Sequence, residues 1–253
     1  MRTIKVTIKE KIALITLDRG RSNAINLEML TDLKEIFQNI DKDDNVSGII
    51  LTGRETVFSA GFDLVELFDY SENDIKSFYE QYFLLISILV TFKKPFVVAI
   101  NGHAPGAATV FSLCGDYRVM ADGNYTIGLN ELALGIIIPE GLFQLYGNCI
   151  GRSKANSYLL EGKLMNPAEA LSIGLVNQVV SHDTLTMTAV RQMQKYLQFN
   201  KVIWQESKLN IRRNLIFAVQ PHQPELIKKI LDEWWAPYNR SILHTIIQNF
   251  KGI

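Results

Sequence analysis

The sequence predicts an α/β protein that continues into an all-helical C-terminal part. Short apolar strand patterns alternate with amphipathic helical stretches from the start to about residue 182. That alternation points to buried strands paired in parallel and covered by helices. From about Asp183 onward the strand patterns stop and only helical periodicity remains. The chain therefore divides into an α/β body, 1–182, and a helical region, 183–253.

The elements follow in order. "TIKVTIKEKIALITL" reads as two strands: Ile4, Val6 and Ile8 alternate with polar residues, and Ile12 to Leu17 form a more buried partner. "NAINLEMLTDLKEIFQNI" reads as a helix capped by Asn26, with Leu27, Leu30, Leu33, Ile36, Phe37 and Ile40 on one face. "VSGIILTG" is a strand, Asp74 to Phe92 a helix, and "PFVVAING" another buried strand. "APGAATVFSLCGD" is a turn feeding a helix, and "YRVMAD" and "YTIG" are strand-like. "GLFQLYGNCI", "SKANSYLLEG" and "NPAEALSIG" are helical, and "LVNQVV" is the last strand. "TLTMTAVRQMQKYLQF", "KVIWQESKLNIRRNLIFAV" and "PELIKKILDEWW" are helices punctuated by Pro221, Pro224 and Pro237. Trp234, Trp235 and Tyr238 supply apolar surface that must dock either on the body or on a neighbouring subunit.

Bulk properties narrow the function. Across 253 residues, 26 Lys and Arg balance 26 Asp and Glu, with no long charge run. Nothing here points to a nucleic-acid surface or a polybasic membrane patch, and a small-molecule partner is expected, with any electropositive site built locally. Apolar runs are broken before they reach membrane-span length, so no membrane partner is expected. Cys114 and Cys149 have no metal-ligand spacing and read as buried free thiols of a reducing compartment. Met1 leads straight into a strand pattern, from which no signal or transit peptide is expected. Together these predict a soluble, cytoplasmic protein.

Two loops carry the chemistry-bearing signals. "ILTGRETVFSAGFDL" and "VVAINGHAPGAATVF" each run from a buried strand into small-residue backbone where a helix can start. Small residues let a ligand approach main-chain N–H groups, and the unsatisfied N–H groups of a helix start attract negative charge. Pro105 suits a first helical turn, with Gly106, Ala107 and Ala108 exposing amides behind it. Side by side, the loops would make a two-donor oxyanion hole. Phosphate-loop, dinucleotide and nucleophile-elbow patterns are absent, as is zinc spacing among the four histidines. His103, in the second loop, reads as solvated.

Read in order with the acids that follow, "NAINLEML", "VFSAGFDLVEL", "KPFVVAINGHAPGAATVFSLCGDYRVMAD", "IGLNELALGIIIP" and "NPAEALSIGLVNQVV" resemble the crotonase superfamily, also called the enoyl-CoA hydratase/isomerase family. The resemblance runs from about residue 3 to 181 and more loosely beyond. It implies a crotonase-like spiral of ββα units with a C-terminal helical trimerisation region, forming a homotrimer or a dimer of trimers. It also implies an acyl-CoA thioester substrate, with coenzyme A as part of that substrate and no separate cofactor or metal. Carried over by position, Phe62 N–H and Ala107 N–H form the oxyanion hole, where Ala107 replaces the family's usual glycine. Ser22 and Ala24, then Ser59, Ala60, Gly61, Asp63 and Leu64, line the cleft for the nucleotide and pantetheine, beside Gly106.

The acids decide between reactions. Hydratases of this family use two glutamates; one position falls on Val110 here and the other on Glu131. A branched apolar side chain cannot activate water. A single base suffices to move a double bond from the 3 to the 2 position, and "IGLNELALGII" is close to the mitochondrial type of Δ3,Δ2-enoyl-CoA isomerase. Apolar Leu129, Leu132 and Leu134 are placed to raise the pKa of Glu131, and Asn130 to help seat the substrate. Glu140, in "PEG", starts a helix and is the reserve base. Asp63 reads as a helix cap and Asp116 as a loop anchor. Phe62, Phe68, Phe83 and Phe143 are candidates to shape the acyl pocket. Isomerase is the leading expectation, with hydratase or a non-catalytic acyl-thioester-binding protein as alternatives.

Overall fold

The computed structural model describes residues 1–251. Strands β1 (Ile4–Lys9) and β2 (Ile12–Leu17) form an antiparallel hairpin. Its two turn residues, Glu10 and Lys11, both have positive φ, the geometry a tight two-residue hairpin needs. Helix α1 (Leu27–Lys42) begins at Asn26, whose side chain accepts from Met29 N–H. Strand β3 (Gly48–Thr52) leads through the first small-residue loop to α2 (Leu64–Phe68) and α3 (Glu72–Thr91). Ser71 and Asp74 close a capping box at the start of α3, so that helix begins earlier than its apolar period suggests. Strand β4 (Phe96–Ile100) runs into β5 (Ala104–Pro105) and α4 (Ala107–Leu113), and β6 (Tyr117–Ala121) into β7 (Ile127–Gly128). A 3₁₀ turn (Glu131–Leu134), α5 (Glu140–Ile150), α6 (Arg152–Leu160), α7 (Pro167–Ser172) and β8 (Gln178–Val180) complete the α/β part.

The main sheet has the order β1-β2-β3-β4-β6-β8 and is parallel from β2 onward. Its inner strands are mostly apolar because both faces are covered. Ile15, Leu17, Ile49, Leu51, Phe96, Val98 and Ile100 point into the core under α1 and α3. Their neighbours Ile12, Ile50, Val97, Ala99, Val119 and Ala121 point to the opposite face. The period of two assigns each residue its side. That second face is sealed by Leu185, Ala189 and Met193 of α8 (Leu185–Leu197), so the first C-terminal helix is a layer of the body.

The helices after it are α9 (Lys201–Ile211), α10 (Arg213–Ala218), α11 (Pro224–Trp235) and α12 (Pro237–Lys251). The stretch read as one helix from Lys201 to Val219 breaks at Arg212, whose guanidinium donates to Cys114 O at 2.9 Å and pairs with Asp116 at 2.9 Å. Lys208 Nζ reaches the same carboxylate at 2.8 Å. Asp116 also accepts from Phe96 N–H, so it anchors its own loop and α9 together. Trp234 is buried against the body, whereas Tyr238 is 76% exposed. Among the described residues no helix is long and apolar enough to cross a membrane.

Two sequence expectations change. "YTIG" supplies only the two-residue β7, which pairs in parallel with β5 as a separate small sheet. Pro105 lies in β5 rather than in the first turn of α4, which is entered through Gly106 at φ 57°.

Candidate active site

Three loops are laced side by side by their backbones. Ala60 N–H donates to Ser22 O, Ile25 N–H to Gly61 O and Asp63 N–H to Ile25 O, each at 2.8–2.9 Å. Ser59 N–H donates to His103 O at 3.1 Å, joining the first small-residue loop to the second. The parallel bridge between Ile25 and Phe62 uses the groups of residues 61 and 63, which turns Phe62 N–H away from it. Ala107 opens α4, where an N–H has no intrahelical partner. The loops almost touch: a Cβ at Gly61 would lie 3.0 Å from Pro105 O and 3.7 Å from Ala107 N.

The small sheet brings the acid to the amides. Ala104 pairs with Ile127, and Gly106 N–H donates to Gly128 O at 2.8 Å. Thr109 pins the same corner, donating to Ala104 O at 2.5 Å and accepting from Gly128 N–H at 2.8 Å. Three residues past Gly128 the chain enters the 3₁₀ turn at Glu131. A Cβ at Gly106 would lie 3.5 Å from Asn130 Oδ1 and 3.7 Å from Glu131 Oε1, so the carboxylate sits directly against the second loop.

These elements enclose a cavity of about 490 Å³. Its wall contains Ser22, Ala24, Ala60, Gly61, Phe62, Asp63, Leu64, Gly106, Ala107, Asn130 and Glu131. Ser59 is not on that wall. It is fully buried behind it, donating to Asn23 O at 2.7 Å and accepting from Gly61 N–H at 3.1 Å, and so shapes the loop. Glu140 is exposed at the start of α5, 3.4 Å from Gln144 Nε2 and away from the cavity. Val110 is wholly buried in the core, and His103 is exposed with its ring nitrogen near Thr126.

Of the four phenylalanines considered for the acyl pocket, only Phe62 lines the cavity. Phe68 stacks under Arg240, Phe143 under Arg152, and Phe83 is buried beside Tyr79 and Tyr82. The apolar end is built instead by Leu64, Val65, Leu134, Ile136 and Leu164. Val65, Ile136 and Leu164 come from three separate segments, and no local pattern marks them as neighbours.

Electrostatics separates the two carboxylates on the wall. Asp63 accepts from Glu66 N–H at 3.0 Å as the cap of α2 and pairs with Arg19 at 2.7 Å. Glu131 is 6% exposed and its Oε2 has no hydrogen-bond partner among the described residues. Burial pushes its pKa up to about 7. Of the three leucines expected around it, Leu129 is buried, Leu134 lines the cavity and Leu132 is exposed. Behind Phe62, whose ring meets Phe78, Tyr79 and Tyr82 edge-on, burial and the Glu131 charge push the phenols of Tyr79 and Tyr82 up, so both stay protonated. A cavity with two amide donors and one acid titrating near neutrality suits proton transfer beside a carbonyl whose oxygen gains charge.

Comparison with known proteins identifies the family and the fold. The family described as Enoyl-CoA hydratase/isomerase matches residues 7–236. The chain is 37% identical over 188 residues to "Enoyl-CoA delta isomerase 1, mitochondrial" of Mus musculus, covering 74% of this chain and 65% of that protein. It is 31% identical over 198 residues to "Probable enoyl-CoA hydratase echA8" of Mycobacterium tuberculosis, covering 76% of each. The crystal structure of human mitochondrial delta3-delta2-enoyl-CoA isomerase superposes with a TM-score of 0.95 at 28% identity, covering 99% of this chain and 98% of that one.

Proposed function

This chain belongs to the enoyl-CoA hydratase/isomerase family, and from that premise we propose that it is an enzyme moving the double bond of a 3-enoyl-CoA to the 2 position. The observation that carries the reading is the lone free carboxylate: Glu131 lines the cavity with an unpartnered oxygen, while Val110 is apolar and Glu140 lies outside.

In the proposed reaction the thioester carbonyl oxygen accepts from Phe62 N–H and Ala107 N–H. Glu131, as carboxylate, removes a proton from C2. The C2–H electrons form a C1–C2 double bond and the carbonyl oxygen becomes the negative end of a dienolate. Each amide donor that follows this charge is worth roughly 3 kcal/mol of barrier. The carboxylic acid then returns the proton at C4, the electrons shift back, and the double bond lies between C2 and C3. No water enters the reaction, so a buried acid is an advantage. Ser22, Ala24, Ala60 and Gly61 receive the pantetheine side, while Asn130 and Gly106 frame the reacting carbons.

The similarity to proteins named as delta isomerases supports this reading. Relatives named as probable hydratases favour hydration of a 2-enoyl-CoA as the second reading. Against it, hydration needs one group to activate water and another to protonate C2. Assembly as a homotrimer or a dimer of trimers is part of the proposal, supported by exposed Val202, Ile203, Ile211 and Phe217 on α9 and α10. The free thiols of Cys114 and Cys149, with burial pushing Cys114 up to about 12, suit a reducing compartment such as the cytoplasm.

Mass spectrometry of products tests the reaction. A 3-enoyl-CoA should convert to an isobaric 2-enoyl-CoA, and a 2-enoyl-CoA should gain no water. A heavier product would favour the hydratase, and no product from either would favour a binding protein.

A further inference from the structure

The acyl end of the cavity rests on two thin supports. One is α2, which presents Leu64 and Val65; the other is the 3₁₀ turn and its exit, which present Leu134 and Ile136. A five-residue helix cannot hold its own orientation in water. At its start α2 is fixed by the Asp63 cap and by Arg19, which pairs with both Asp63 and Glu66. At its end the support comes from the far C-terminal helix. Arg240 on α12 donates from Nη2 to Phe68 O at 3.0 Å and lays its guanidinium 3.5 Å from the centre of the Phe68 ring. Trp235 receives the same guanidinium at 4.8 Å.

Arg240 has no salt bridge among the described residues, and its Nη1 is buried without a hydrogen-bond partner. Burial lowers its pKa, so a cation here is not the cheapest way to fill the space. What it provides is direction: a planar fork that grips one carbonyl and one ring. The preceding residue does the same to the other support. Asn239 Nδ2 is held by Glu233 O at 2.9 Å and by Glu233 Oε2 at 3.0 Å. Its Oδ1 then packs so closely on Gly135 that a Cβ there would lie 2.5 Å away. Gly135 ends the turn that Glu131 begins. Consecutive residues of α12 thus brace the two walls of the acyl end.

We propose that Arg240 is a positioning residue that sets the width of the acyl end by holding α2 through Phe68, so that the preference among acyl-chain lengths is governed from the C-terminal helix. This rests on the reading of the cavity as an acyl-CoA site. It assigns the C-terminal part a role in substrate selection besides assembly.

The test uses equilibrium binding of saturated esters, which does not depend on turnover. The full chain, Arg240→Met, Phe68→Leu and the double variant are titrated with butanoyl-, octanoyl- and dodecanoyl-CoA, with melting curves as a check on folding. Arg240→Met is expected to weaken dodecanoyl-CoA about tenfold and butanoyl-CoA less than about twofold, as lost contact with a few methylenes would. Phe68→Leu should show the same length dependence, and the double variant should add little, since both act through one contact. Arg240→Lys, which keeps stem and charge but loses the planar grip, should fall between, and it carries the test if Arg240→Met does not fold. An equal loss for all three esters, or an unchanged ratio among them, overturns the proposal. If the unmodified protein binds none of the esters, the acyl-CoA reading of the cavity fails first and this inference falls with it.

Discussion

At the scale of single residues, Glu131 is a carboxylate removed from water at the wall of the cavity. Its folded pKa of about 7 lies above the ordinary carboxylate value because burial penalises the charged form. The base must be ionised to take a C2 proton, so kcat/KM for a 3-enoyl-CoA should rise with pH through about 7 and level off above it. A pH–rate profile with its acid limb near 4.5 would contradict a buried base. Much of this residue scale is legible in the sequence, because the loop residues beside Phe62 and Ala107 are contiguous in the motifs that carry them. The cavity wall contains Phe62, Ala107, Asn130 and Glu131. Ser59 was harder to place: it sits in the right loop, but its hydroxyl serves Asn23 O and Gly61 N–H. Val65, Ile136 and Leu164 were not legible at all, since only folding brings their three segments together.

At the scale of elements, the two-residue strands β5 and β7 do more for the site than their length suggests. They hold the start of α4 against the segment that delivers Glu131, with Thr109 hydrogen-bonded to both strands. Thr109→Val keeps the shape and removes the hydroxyl, leaving Ala104 O and Gly128 N–H short of a partner at a cost of roughly 1–3 kcal/mol. We expect kcat to fall more than tenfold as Ala107 and Glu131 lose register, about the penalty of a small misplacement, while Thr109→Ser restores it. Steady-state kinetics beside a urea titration would separate the two effects; a kcat loss no larger than the unfolded fraction would refute the register argument. Periodicity cannot reveal such strands, because alternation needs at least four residues to register. The break at Arg212 escaped for a different reason: its helical pattern is uninterrupted, and the cause is a set of partners about a hundred residues earlier, the nearest being Asp116 and Cys114.

At the scale of the whole molecule, the α/β core was legible because strands buried on both faces are apolar at most positions. The register of β2, β3, β4 and β6 then assigns alternate residues to α1 and α3 or to α8. What the pattern does not contain is how the C-terminal helices dock. That is decided by the buried Asp116–Lys208–Arg212 cluster and by the contacts of Asn239 and Arg240, all between residues remote in sequence. The resulting molecule keeps a buried acid at the wall of its cavity, and this has a thermodynamic consequence. A folded pKa raised above the unfolded value means that the stability linked to protonated Glu131 is fully present below about 4.5 and lost as pH rises through about 7. Ionised Glu131 therefore costs the fold on the order of 3 kcal/mol above neutrality.

The most direct measurement is Glu131→Gln at pH 8, assayed for turnover of a 3-enoyl-CoA, for binding of a saturated acyl-CoA and for melting temperature. Turnover should fall about 10²–10⁴-fold, with binding retained and a melting temperature above that of the unmodified protein. Turnover at the unmodified rate would contradict Glu131 as the base, because the reaction would then need a base other than the one this cavity holds.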